Sequence, residues 1–111
     1  MTTLQAKRTA PKPVTPLVLD GVRYEAPLDI HALGYSGHGG VIAAFDDKTG
    51  AALWHLQVYR TVYDPHMEGD VQDVYITEIA AFDGGRALSV THERRRHFRV
   101  DLADRSVQPL D

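Results

Sequence analysis

Five turn signals punctuate this chain of 111 residues, and the spaces between them suit short strands better than helices. They are "DG" at 20–21, "DDKTG" at 46–50, "DGGR" at 83–86, "ERRR" at 93–96 and "ADRS" at 103–106. Asp-Gly between short apolar runs is a strong hairpin signal, because glycine tolerates the positive φ of a tight turn. "LVLDGVRYEA" (17–26) alternates around such a pair. In the next hairpin Val41 to Phe45 enters, Asp46 to Gly50 turns and Ala51 to Tyr59 returns. Gly50 is expected in the left-handed position that closes a type I turn with a bulge. On the return strand Ala52, Trp54, Leu56 and Val58 share one face, read as the core face, and Leu53, His55, Gln57 and Tyr59 share the other.

The second half has the same grammar. "VQDVYITEIAAF" (71–82) is apolar on both faces, which predicts a central strand or a bulge near Thr77-Glu78. "ALSVTH" (87–92) points Leu88 and Val90 inward, and "HFRVDL" (97–102) buries Phe98, Val100 and Leu102. Pro109 in the last run fits an edge strand. "GYSGHGG" (34–40) matches no phosphate-binding fingerprint and reads as a flexible loop. No stretch longer than about seven residues keeps a helical period. The expected fold is all-β: a small antiparallel barrel or sandwich of about 6–8 short strands built from hairpins. At most one short helical turn is expected, near Asp29. The length argues for one domain, 16–111, preceded by a disordered or extended arm over 1–15 that carries Pro11 and Pro13.

Composition removes whole classes of function. There is no cysteine, so disulfides, thiol catalysis and the thiolate sites of zinc fingers are out. Twelve basic residues against fifteen acidic ones give a net charge of −3, which speaks against nucleic acid as a partner. No apolar run approaches a membrane span, and the basic start has no apolar run after it, so it does not read as a secretory signal. These features fit a cytoplasmic protein.

Charge is nonetheless polarised. From Thr61 to Gly85 there are six acidic residues and no lysine or arginine, whereas Arg86, Arg94, Arg95, Arg96 and Arg99 crowd the stretch that follows. The arginine turn is expected to meet an anionic partner or an acidic patch, within the monomer or across a homodimer. Arg94, Arg95, Arg96 and Arg99 are therefore the candidate binding residues, with Tyr59 and Tyr63 as interface aromatics. "DPHMEGDVQD" (64–73) is the competing site. Asp64, His66, Glu68 and Asp70 fall at alternate positions, and oxygen ligands with one imidazole suit a divalent metal. His92 and His97 flank the arginine turn and are expected to pair across it, which would let them hold a metal. No nucleophile elbow, HExxH motif or sequence-local triad is present. The reading is a small non-catalytic binding or adaptor module, self-associating or bound to a protein partner, with no cofactor. A metal-binding protein or metal-dependent enzyme using 64–73 is the first alternative. A small-molecule binder with its pocket near His55 is the second.

One motif has a relative elsewhere. Ala44, Asp46, Thr49, Gly50 and Trp54 spell A-x-D-x-x-T-G-x-x-x-W, which resembles the repeat of quinoprotein-type dehydrogenase propellers. In "FRVDLADRSV" (98–107) only Asp101 matches, with no Thr-Gly and no tryptophan after it. In that repeat the tryptophan docks onto the neighbouring blade, and here the resemblance implies a blade-like hairpin and its turn chemistry. It implies no quinone cofactor, and none of that family's cofactor residues is placed here.

Overall fold

The computed structural model describes residues 12–67 and 72–110. Most of the arm expected over 1–15 lies outside them. Eight strands follow in order: β1 (Leu17–Leu19), β2 (Val22–Glu25), β3 (Val41–Asp46), β4 (Ala52–Gln57), β5 (Ile76–Phe82), β6 (Ala87–His92), β7 (His97–Asp101) and β8 (Val107–Pro109). They form two antiparallel sheets of four, each a meander of sequential neighbours, β1-β2-β3-β4 and β5-β6-β7-β8. Among the described residues a 3-10 turn, His31–Leu33, lies between β2 and β3, and a second, Asp83–Gly85, between β5 and β6. The all-β sandwich expected from the turn signals is what forms. Among the described residues no helix is long and apolar enough to cross a membrane.

The two sheets are built on the same corner. Asp46 Oδ1 accepts from the Lys48 and Thr49 amides at 2.9 Å each, and Asp46 N donates to Ala51 O. Asp101 Oδ1 accepts from Ala103 and Asp104, and Asp101 N donates to Ser106 O. Gly50 (φ 76°) and Arg105 (φ 62°) hold the left-handed position, and each amide returns to its aspartate carbonyl. An outside tie is repeated too. Asp47 N donates to Gly21 O at 2.9 Å, and Leu102 N donates to Arg86 O at 3.0 Å. The turn at Asp101 is thus a structural copy of the Asp46 corner, with Asp104 in the place of Thr49 and Arg105 in that of Gly50.

Matched at these corners, the sheets bury opposite faces. The row Tyr24–Ala44–Trp54 faces the core in the first sheet. Its counterpart in the second, Ser89–Arg99–Gln108, faces outward. Conversely Leu88–Val100–Val107 is inward, and its counterpart Arg23–Phe45–Ala52 is outward. The shared core between the sheets holds Tyr24, Ile42, Ala44, Ile76, Ile79, Leu88, Val90 and Val100, with Val14 packed against it. Ile42, Leu88, Val90 and Val100 are fully buried, each contributing about 1.5–3 kcal/mol of transfer free energy.

Two expectations need correcting, and the end of the glycine loop has a structural role. Of the two readings of the run 71–82 the central strand fails and the bulge holds: β5 starts at Ile76, lies at a sheet edge and shifts register between Ile76 and Glu78. Its two apolar faces come from the bulge between Ile76 and Glu78, which lets Ile76 and Ile79 both turn inward. A register shift next to Ala44/Phe45 likewise moves Ala52 off the Trp54 face, so Ala52 pairs with Phe45. Finally, the glycine loop is a joint. A side chain on Gly39 would collide with the Val74 carbonyl, and one on Gly40 with the Tyr59 carbonyl and ring. Both residues have positive φ, and the Gly40 carbonyl accepts from Val58 N and Tyr59 N, bending the chain out of β4.

Candidate functional site

That bend determines where the aromatic residues go. Had β4 continued, Tyr59 would share the outward face with His55 and Gln57. Instead it turns inward, and its ring stacks on Phe98 (5.5 Å, 16°) and meets His92 edge-on at 4.9 Å. Its hydroxyl donates to Val74 O at 2.6 Å. Burial, helped by the Glu93 charge, pushes the phenol far above its ordinary pKa, so this group is a fixed neutral donor. His92 is buried and accepts from Arg94 N at Nδ1, 3.1 Å. The histidine pair expected across the turn does not form. His97 is in register with Thr91 and bonds its hydroxyl at 2.9 Å on the opposite face.

Tyr59, His92 and Phe98 line one side of an open cleft of about 480 Å³. The segment Arg60–Val62 forms another wall, with Met67, Gln72 and Val74 behind and Arg94 at the rim. The 93–96 turn is held by Arg95 N on His92 O and by His92 N on Arg96 O. Glu93 anchors it to the neighbouring strand, accepting from Tyr75 N at 3.0 Å. Among the described residues no carboxylate lies within ion-pair distance of Arg60, Arg94, Arg95 or Arg96, and Glu93 beside them is engaged with the Tyr75 amide. Arg99 differs. It is on the outer face of the second sheet, bound to Asp83 at 2.9 Å and Asp101 at 3.1 Å. Among the sequence candidates the structure brings Tyr59 and Arg94 together, leaves Arg95 and Arg96 on the exposed turn, and separates Arg99 and Tyr63 from them. Arg60, the second cation on the cleft, carries no sequence signal, because no periodicity or motif marks it.

Tyr63 belongs to a neighbouring polar cluster. Its hydroxyl donates to Asp73 Oδ1 at 2.6 Å and accepts from His38 N at 3.2 Å. The Asp73 side chain is only 3% exposed, takes Tyr75 Oη at 3.3 Å and lies 3.4 Å from His38 Nδ1. Burial and the Asp73 carboxylate raise the Tyr63 phenol pKa. This cluster ties the glycine loop to the segment before β5. It too was invisible in the sequence, since residues 38, 63 and 73 share no spacing rule.

Of the metal candidates, Glu68 and Asp70 lie outside the described residues. Asp64 Oδ1 caps a turn by accepting from His66 N at 2.8 Å, and Gln72 bonds both the amide and the carbonyl of Asp64. Among the described residues no group of three or more His, Asp or Glu side chains is placed to hold a metal ion. Near His55 there is a groove of about 500 Å³, between Pro27–Leu33 and the β3–β4 hairpin. Its walls are mainly apolar, with Leu33, Phe45 and Leu53 prominent, and His55 Nδ1 is 2.6 Å from Tyr35 Oη.

Comparison with protein-family models, with curated proteins and with solved structures found no match for the chain.

Proposed function

We propose that this protein is a small binding module that takes an acidic segment of a partner protein into the cleft between Arg60 and Arg94. The observation that carries the reading is two guanidinium groups without carboxylate partners among the described residues, on one cleft walled by aromatic rings. A guanidinium presents a planar fork that matches a carboxylate in two parallel hydrogen bonds. The Tyr59, His92 and Phe98 wall suits an apolar or aromatic side chain next to that carboxylate, as interface centres commonly do. Arg95 and Arg96 add long-range attraction, which raises the association rate more than the affinity. The propeller resemblance fits the same picture as blade-like units: the Trp54 ring lies under the Arg105 guanidinium of the second sheet at 5.1 Å.

The test is calorimetric titration with a peptide alternating glutamate and phenylalanine, beside its glutamine counterpart. The acidic peptide is expected to bind, to weaken as salt screens the charges, and to be lost with the pair Arg60→Glu and Arg94→Glu. Equal binding of the glutamine peptide, or binding that survives the double reversal, would refute the reading. A second reading rests on the groove beside His55, whose volume and apolar walls suit a small amphiphile. Ligand retained by the native protein and released by Leu53→Asp would favour it.

A further inference from the structure

Among the described residues the open sheets expose four edges, and three carry features that discourage further pairing. β1 and β8 are three residues long, and β8 ends in Pro109. β5 has the bulge at Ile76–Glu78 and the charge of Glu78. Short strands, proline, bulges and charges are the ways in which edges avoid pairing with another chain. β4 is different. Its six residues, "ALWHLQ", contain no charge and no proline, and its register shift is confined to the hairpin end.

The phase of the ladder can be read from its end. Residues of an antiparallel strand alternately direct their peptide groups toward and away from the neighbour. Val58 N donates to Gly40 O at 2.7 Å, so Leu56 and Trp54 also direct theirs toward β3. His55 and Gln57 therefore direct their N–H and C=O groups away from it. None of the backbone or side-chain hydrogen bonds outside the β3–β4 ladder involves those peptide groups among the described residues. Leu53, beside them on the outer face, is 49% exposed, and Phe45 next to it is half-buried.

We infer that β4 is a self-association edge, pairing antiparallel with β4 of a second copy to make one continuous eight-stranded sheet across a two-fold axis. A second copy fits because the strand is its own complement. Under a two-fold axis the strand meets the same stretch, residues 51–58, which holds no lysine, arginine or carboxylate, so none of these charges opposes its like. The join also continues the established ladder of the first sheet. A strand-edge interface is small, so the dimer is expected to dissociate on dilution.

The experiment is sedimentation velocity of the full chain over a wide concentration range, with far-UV circular dichroism to check each variant's fold. Wild type is expected to shift from monomer to dimer as concentration rises. Gln57→Pro removes one outward N–H without touching the β3 ladder, and Gln57→Lys places a charge on the edge. Both are expected to abolish the shift, while Val18→Lys on the far edge leaves it unchanged. Should the proline variant not fold, the lysine variant decides alone. Amide exchange at His55 and Gln57 should slow with concentration in step with the dimer. A chain that stays monomeric throughout, or a dimer that Gln57→Lys leaves intact, would overturn the inference. Charge reversal at Arg60 and Arg94 should leave the dimer in place, which separates this inference from the acidic-partner reading.

Discussion

The two sheets have the same corner, the same outside tie and the same strand order, yet each buries the face that the other exposes. The difference arises from a one-residue offset between turn and apolar pattern. Counting back from the corner aspartate, the first sheet places Ala44 and Ile42 inward, at the second and fourth positions. The second sheet places Val100 and Phe98 inward, at the first and third. Side chains alternate strictly along a strand, so an offset of one residue turns the whole sheet over. The same turn hydrogen bonds set where the chain reverses. Apolar periodicity sets which way the sheet faces.

The matched positions make this comparison breakable. The largest effect is expected at Leu88, which occupies the place of Arg23. Leu88→Ala should cost about 2–5 kcal/mol, because it empties a fully buried site. Arg23→Ala, on an outward face where the side chain is bound to Glu25 and Asp47, should cost a small fraction of that. Urea unfolding midpoints would check both, and equal losses would refute the opposite-face assignment.

Next comes the joint that only the first half possesses. Gly40→Ala forces a side chain against the Tyr59 carbonyl and ring at positive φ, and should cost about 2 kcal/mol by urea unfolding. It should also open the cleft, seen as weaker peptide binding beyond the stability loss.

The left-handed corner residues should respond unequally. Gly50→Ala introduces a Cβ where φ is 76° and should cost about 1 kcal/mol. Arg105→Gly relieves the same conformation but removes the guanidinium from Trp54, so its midpoint should scarcely move. Thermal melts of the two variants measure the asymmetry.

The smallest and most symmetrical effect is acid sensitivity. Amides of Thr49 and Lys48 hold the Asp46 carboxyl below its ordinary range. The Ala103 amide, Arg99 and the Asp104 amide do so for Asp101. A carboxyl lowered in the folded state contributes stability above its ordinary pKa of 3.8, and that contribution is lost as pH falls through the folded value. Asp46→Asn and Asp101→Asn should each flatten the fall in stability below pH 3.8 by a similar amount. Unequal slopes would show that the corners are less alike than their hydrogen bonds.

What was legible in the sequence was local. Asp-Gly pairs, the DDKTG corner and period-two runs act within a few residues, and they specified the hairpins, the all-β class and the inward direction of Trp54, Leu88 and Val100. Tertiary structure decided the rest, because it depends on contacts between residues far apart in the chain. The bend at Gly40 turns Tyr59 from the outer face onto Phe98 and His92, and no pattern near Tyr59 announces it. Arg60 and Arg94 meet on one cleft only because the segment after β4 crosses toward the β6–β7 turn. Arg99 matches its arginine neighbours in sequence, yet alternation places it beside Asp83 and Asp101 on the other face. Periodicity assigns a residue to a side of a strand, but which sides meet, and which edge stays open, is set only when two sheets close over a common core.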